Sequence, residues 1–319
     1  MSPNFMPEIK GAIPPEIREM MGQNPAFAAQ PQQTSLPPQR QKLTPDASVR
    51  HFQQAESSAE LQLILQKLAG EHTWEEIELP SRGKFYQNIP GKIHVRAMTG
   101  QEEQILATSR FVKKGQAIDM IFQKCIQEPI DTTQLLSVDR NYILIFLRGI
   151  SYTTAYDVEI KCPACGINFS TVIDLDAIQV ESCPNDFGPE SLSGILPKSK
   201  LSFSYRLSKG GDEQNVTNYR EKRIQTFGDQ GNDDTALYRT ALLIESIENI
   251  TELNEIKIIL GKLPVNDVVY LRNLINEPPF GVNTDIEMLC PGCGEEFKVG
   301  LPLEASFFFP RKKETKTQA

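Results

Sequence analysis

The feature that most constrains this chain is a pair of Cys-Pro-x-Cys-Gly motifs, at residues 162–166 and 290–294. Each motif lies between two segments in which apolar and polar residues alternate, so each predicts a β-hairpin with a tight turn. The glycine after the second cysteine can take the positive φ that such a turn needs. Two of these knuckles supply four thiolates, the number that a closed tetrahedral zinc site requires. We therefore predict one structural zinc ion per chain, bound by Cys162, Cys165, Cys290 and Cys293.

Disulfides and buried free thiols are the alternatives for these four cysteines. A disulfide within one knuckle would make a redox site, but neither knuckle lies in a βαβ pattern of the thioredoxin type. The other two cysteines have different surroundings. Cys125 falls on the apolar face of a helix predicted over residues 116–127, so we expect it to be a small core residue. Cys183 is expected to be a linker cysteine, since no second ligand neighbours it.

The two knuckles also reveal an internal repeat. When the chain is aligned with itself at an offset of 128 residues, residues 139–175 match residues 267–303 without a gap, and ten of the 37 aligned residues are identical. Further upstream the match resumes in a shifted register, with Lys92 opposite Lys200 and Glu103 opposite Glu213. The pattern predicts a duplicated unit in which each copy donates one knuckle, so that the metal ties the copies together.

The predicted fold class is α+β, built from two copies of a unit of strand, helices and hairpin, with the two hairpins joined by one zinc ion. In the second copy we expect a turn over residues 208–213 and helices over residues 237–247, 253–263 and 268–275. The predicted organisation is a flexible Pro/Gln-rich arm over residues 1–55, an amphipathic helix over 56–72, a first repeat over 73–182, a second repeat over 183–310 and a basic tail over 311–319.

Composition and charge exclude several classes of function. The formal net charge is −8, which argues against a nucleic-acid partner, because such proteins present a basic face to the phosphates. We see no secretory signal, and no apolar run is long enough for a membrane span. Six cysteines, four of them in metal-type spacing, suit a reducing cytosol better than a disulfide framework. The three histidines lie outside any His-Glu-x-x-His spacing, and four thiolates would leave no open position on the metal, so no catalytic residues are predicted.

Four short motifs in order resemble the baseplate hub and hub-assembly proteins of T-even-type contractile-tailed phages. They are Leu79-Pro-Ser-Arg-Gly-Lys-Phe-Tyr86, Met98-Thr-Gly-Gln-Glu-Glu103, the Cys-Pro-x-Cys-Gly motif, and Leu301-Pro-Leu followed by Phe307-Phe-Phe-Pro310. The resemblance implies a non-enzymatic protein that builds the baseplate hub, located in the virion tail or in the host cytoplasm during assembly. It implies other baseplate or tail proteins as partners, with no nucleic acid, membrane or small-molecule substrate.

Two further features suggest contacts with other proteins. The apolar residues Leu61, Ile64, Leu65 and Leu68 share one face of the helix near the N-terminus. Three successive phenylalanines, Phe307 to Phe309, cannot all face one core in a strand, so at least one is expected to contact the other copy or a partner. A zinc ribbon that binds nucleic acid and a metal-dependent or redox enzyme are the alternative functions.

Overall fold

The structure is a computed structural model that describes residues 59–70, 73–113, 115–228, 233–303 and 305–308. The predicted arm over residues 1–55 and the predicted basic tail over residues 311–319 lie outside the described residues. The chain divides into two units, Met1–Lys67 and Leu68–Ala319. All of the described strands belong to the second unit.

The described residues form nine α-helices: α1 Ala59–Gly70, α2 Gly100–Ala107, α3 Ser109–Lys113, α4 Ala117–Cys125, α5 Ser137–Ser151, α6 Gly210–Phe227, α7 Thr235–Leu243, α8 Leu253–Leu260 and α9 Val265–Asn276. They also form eleven strands: β1 Glu75–Glu78, β2 Lys92–Val95, β3 Ala155–Lys161, β4 Asn168–Asp174, β5 Val180–Glu181, β6 Ser193–Ile195, β7 Ser202–Tyr205, β8 Ile244–Ile247, β9 Gly281–Val282, β10 Asp285–Leu289 and β11 Glu296–Gly300. Every strand pairing is antiparallel: β1 with β2, β3 with β4, β5 with β9, β6 with β7 and β8, and β10 with β11. This mixture of helices and small sheets is the α+β class that was predicted.

Helix α1 occupies part of the segment predicted to be an amphipathic helix. Ile64, Leu65 and Leu68, which were expected to share its apolar face, are each about half exposed, and Leu63 is 69% exposed. Among the described residues, no helix is both long enough and apolar enough to cross a membrane.

Three groups of apolar side chains form the interior of the second unit. The first core lies among β1, β2, α2, α4 and α5, with Ile121, Phe122 and Ile143 fully buried. The second core lies among β7, β8, α7, α8 and α9, and includes Phe203 and Leu271. The third, which we call the hairpin core, lies between the β3–β4 and β10–β11 hairpins. The first core is built mainly from residues 77–147 and the second mainly from residues 183–280, but Leu136 belongs to the second core and Phe308 to the first. The third core joins the hairpins.

The structure corrects two predictions in the second half of the chain. Residues 210–213 are the first turn of α6 and not part of a loop. The Asp212 side chain caps this helix start by accepting the Lys209 N–H at 2.8 Å, and it also pairs with Arg206. The helix predicted over residues 237–247 ends at Leu243. Residues 244–247 form β8, because Ile244 pairs with Tyr205 of β7.

Candidate metal centre

The two knuckles have the same local geometry. In the first, the Cys162 N–H donates to the Ile167 carbonyl at 2.9 Å and the Gly166 N–H donates to the Cys162 carbonyl at 3.0 Å. The second knuckle has the same two hydrogen bonds at the positions 128 residues later, both at 2.9 Å. Gly166 and Gly294 have φ values of +75° and +72°, a conformation that side chains other than glycine rarely adopt. Each turn therefore presents its two cysteines in the same way.

The four cysteine sulfurs of the two knuckles lie together. Their Sγ atoms are all within 4.8 Å of one another. Two contacts cross between the knuckles: Cys162 Sγ to Cys293 Sγ is 3.7 Å, and Cys165 Sγ to Cys290 Sγ is 3.7 Å. These two contacts exchange when the knuckles are interchanged, so the cluster has local two-fold pseudosymmetry.

These distances fit a tetrahedral metal ion and not a disulfide. Zinc–sulfur bonds of about 2.3 Å in a regular tetrahedron place the sulfurs about 3.8 Å apart. A disulfide would need about 2.05 Å between its sulfurs. All six cysteines of the chain are free thiols. The donor set is therefore compatible with zinc, which thiolate ligands bind strongly.

Hydrogen bonds favour the thiolate form at one of these sulfurs. Backbone N–H groups of Cys293 and Gly292 point at the Cys290 sulfur, the latter at 3.4 Å, and together with the thiols of Cys293 and Cys162 they lower the Cys290 pKa to about 6. Deprotonated sulfur is the form that binds a metal ion.

The hairpin core supports the cysteines from behind. Along β3, Tyr156, Val158 and Ile160 face inwards while the intervening residues are exposed. Phe169 and Phe297, which occupy equivalent positions in the two hairpins, meet edge to face with ring centroids 6.4 Å apart. The sulfur cluster thus lies at one end of an apolar layer shared by both hairpins. Cys162 and Cys290 are buried, whereas Cys165 and Cys293 are exposed.

The successive phenylalanines at the end of the chain belong to this interior. Phe307 lies in the hairpin core, 4.9 Å from the Tyr156 ring, and Phe308 lies in the first core. Both are fully buried, so neither is exposed to a partner protein. Phe308 does contact the first half of the chain, one of the two expected outcomes. Phe309 lies outside the described residues.

A buried arginine that sequence reasoning missed joins α5 to this region. Arg148 is only 3% exposed, donates to the Phe307 carbonyl at 3.1 Å and to the Thr153 carbonyl at 3.1 Å, and lies over the rings of Tyr152 and Tyr156. Burial lowers its pKa from the ordinary value for arginine. The sequence signal that could have identified Arg148 is a single cation among the apolar residues in the second half of α5.

The outer faces of both hairpins and of the segments that follow them are acidic. These surfaces carry nine exposed carboxylates but only two exposed lysines, Lys161 and Lys298. The carboxylates are Asp157, Glu159, Asp174, Asp176, Glu181, Asp285, Glu287, Glu295 and Glu296. One of them, Glu287, lies 3.9 Å from Lys298.

The remaining two cysteines are buried away from the cluster. Cys125 lies in the first core, where burial raises its thiol pKa to about 12. Cys183 lies in the second core, and burial also raises its pKa. Both behave as small core residues, as expected for Cys125.

Comparison with known protein families decides where this chain belongs. Residues 72–308 match the family model described as T4 bacteriophage base plate protein. This chain belongs to that baseplate family. The match covers both knuckles and all three apolar cores. Neither the curated proteins nor the solved structures contained a match. Membership in the baseplate family makes this a phage baseplate protein of the virion tail, and it implies interaction with other tail proteins.

Proposed function

We propose that this chain is a zinc-stabilised structural or assembly protein of the baseplate hub, and that it acts through contacts with other proteins. The observation that supports zinc most directly is the meeting of four thiols, two from each of two distant hairpins, at distances typical of a tetrahedral thiolate site. Bound zinc would tie residues 128 positions apart in sequence into one body. Four thiolates close the coordination sphere, so this ion stabilises the fold without taking part in catalysis.

We also infer that the two halves, residues 73–182 and 183–310, are copies of one unit. Matching buried aspartates support this. Asp139 accepts the Ser81 N–H at 2.9 Å, and Asp267, 128 residues later, accepts the Lys198 and Ser199 N–H groups, each at 2.8 Å. In each half, an aspartate in the first turn of a long helix therefore accepts hydrogen bonds from the backbone just after a Leu-Pro pair.

A second set of matched contacts supports the same inference and revises its register. Arg96 pairs with Glu102 and Arg206 with Asp212, in each case bridging the end of a strand to the first turn of the next helix. Helices α2 and α6 begin at Gly100 and Gly210. These pairs are 110 residues apart, so the upstream segments align at an offset of 110 rather than with Lys92 opposite Lys200.

The acidic hairpin faces favour a protein partner over a nucleic acid. Nine carboxylates against two lysines would repel a phosphate backbone, whereas a nucleic-acid-binding zinc ribbon needs a basic face near its knuckles. We therefore place the protein among the baseplate and tail proteins, in the virion or in the host cytoplasm during assembly. A membrane and a small-molecule substrate have no role in this proposal.

Elemental analysis tests the zinc proposal. Protein purified under reducing conditions should contain about one zinc per chain, and replacing any one of Cys162, Cys165, Cys290 or Cys293 with serine should abolish stoichiometric zinc and lower the melting temperature. Cys125→Ala is the matched control, because Cys125 lies outside the cluster, and it should keep its zinc. Two zinc ions per chain, or none in the unmodified protein, would contradict the proposal.

A thiol titration separates structural zinc from a redox site. A chelator should release four reactive thiols, while Cys125 and Cys183 should react only after unfolding, because both are buried with raised pKa values. Reactivity that is unchanged by the chelator would favour redox chemistry instead.

A further inference from the structure

One contact between residues 73–182 and residues 183–310 has no counterpart elsewhere among the described residues. The start of α5 in the first half lies against the start of α6 in the second half. The Ser137 N–H donates to the Ser208 carbonyl at 2.8 Å, and the Gly210 N–H donates to the Leu135 carbonyl at 2.9 Å. Leu136 is 2% exposed and packs into the second core. We call the α5 start the plug and the α6 start the socket.

Each half carries a backbone counterpart of both parts of this contact, with the exposed Pro264 in the position of the buried Leu136. The equivalent of the plug in the second half is the start of α9, where Val265 takes the position of Ser137. The equivalent of the socket in the first half is the start of α2, where Gly100 takes the position of Gly210. Both pairs of helices begin in the same register, so the backbone N–H and carbonyl groups used in the internal contact have counterparts at the second plug and the first socket.

The second plug and the first socket are open. Val265 is 75% exposed and Val269, one turn later, is 44% exposed. A Cβ at Gly210 would meet the Arg140 side chain at 2.5 Å, whereas a Cβ at Gly100 would have no described atom within 4 Å. Exposed valines at a helix start are suited to a contact that buries them.

We propose that a second copy of this chain fills these open surfaces, with the α9 plug of one chain seated on the α2 socket of the next. A chain with one free plug and one free socket forms a head-to-tail interface, which gives rings or open filaments rather than a closed two-fold dimer. The inference rests on the proposed duplication, and it names a second copy of this chain as one partner of the joint.

Sedimentation velocity of the full-length, zinc-loaded chain tests this contact. The unmodified protein should form dimers and larger species as its concentration rises. Val265→Glu, a charge on an exposed helix start, and Gly100→Trp, a bulky side chain in open space, should each abolish these species. Ile195→Glu is the matched control at a site that is 65% exposed, and it should associate like the unmodified chain.

Mixing the two defective variants gives the sharpest result. The Val265→Glu chain keeps its socket and the Gly100→Trp chain keeps its plug, so the mixture should form dimers and nothing larger. A mixture that stays monomeric, an unmodified chain that is monomeric at every concentration, or association that survives either variant would overturn the proposal. Zinc content, measured on the same samples, reports separately on the metal centre.

Discussion

Two buried aspartates, Asp139 and Asp267, each accept backbone N–H groups that follow a Leu-Pro pair, but they ionise differently. Asp139 accepts the Ser81 N–H and the Tyr86 hydroxyl, at 2.9 and 2.5 Å, yet burial outweighs these bonds and raises its pKa. At Asp267 burial also opposes ionisation, but the N–H groups of Lys198 and Ser199 outweigh it and lower the pKa. The two aspartates therefore make opposite contributions to the pH dependence of stability.

This difference predicts opposite pH slopes for two substitutions. A raised pKa means that the folded chain takes up a proton at Asp139 before the unfolded chain does, so Asp139 adds stability as the pH falls towards the ordinary value of 3.8. Asp267 adds stability above that value and loses it as the pH falls below it towards the lowered folded pKa. We take the free energy of unfolding of the wild type minus that of the variant. On acidification this difference should increase for Asp139→Asn and decrease for Asp267→Asn.

Urea unfolding of the three proteins over a series of pH values measures both slopes. Taking differences from the wild type cancels the common effect of acid on the thiolates. Equal slopes for the two variants would contradict the assignment.

Among the elements of the fold, the knuckle turns depend on backbone conformation at a single glycine each. Gly294 has a φ of +72° and open space around the position of a Cβ, so any strain on substitution comes from the backbone alone. Without glycine at this position, the hydrogen bond from residue 294 to the Cys290 carbonyl would be made under strain.

Gly294→Ala should therefore destabilise the zinc-loaded protein by about 1–2 kcal/mol, the cost of the left-handed conformation for alanine. Gly294→Asn should cost less, since asparagine tolerates this conformation better. Gly100→Ala is the matched control, because its surroundings are equally open and its φ is not positive, and it should be neutral or stabilising. Urea unfolding measures all three, and a Gly294→Ala protein as stable as the wild type would refute the argument.

For the chain as a whole, the proposed role is that of a rigid joint. The hairpin core and the sulfur cluster join two halves that each have their own apolar core. With Phe307 and Phe308 buried, the candidate surfaces for other proteins are the apolar side chains of α1, the acidic hairpin faces, the free plug and socket, and the arm over residues 1–55.

Deleting residues 1–50 tests whether the arm has a role that is separate from folding and zinc binding. The truncated chain should remain folded and keep one zinc, because both halves and all four cysteines lie after the deletion. It should fail to support tail assembly in a complementation assay, since we propose that the arm binds a neighbouring tail protein. Normal baseplates from the truncated chain would show that the arm is dispensable.

The features that could be predicted from sequence are those set by neighbouring residues. The cysteine spacing, the flanking alternation and the glycine after each second cysteine specify the knuckles locally. The Thr99 and Glu102 side chains, three residues apart, form the capping box that starts α2. Helical periodicity likewise placed Cys125 on a buried face, where it lies.

Tertiary contacts decided the rest. The Gly-Gly pair at the start of α6 is equally suited to a turn, and it became a helix start because Asp212 pairs with Arg206 and caps it. Residues 244–247 continue a helical pattern, but Ile244 pairs with a strand that lies about 40 residues earlier in the chain. Phe307 and Phe308 lie in a 3-10 helix, Ala305–Phe308, in which successive side chains point about 120° apart, so they enter different cores. Local spacing determined which residues could bind a metal, and long-range packing brought the two pairs of sulfurs together.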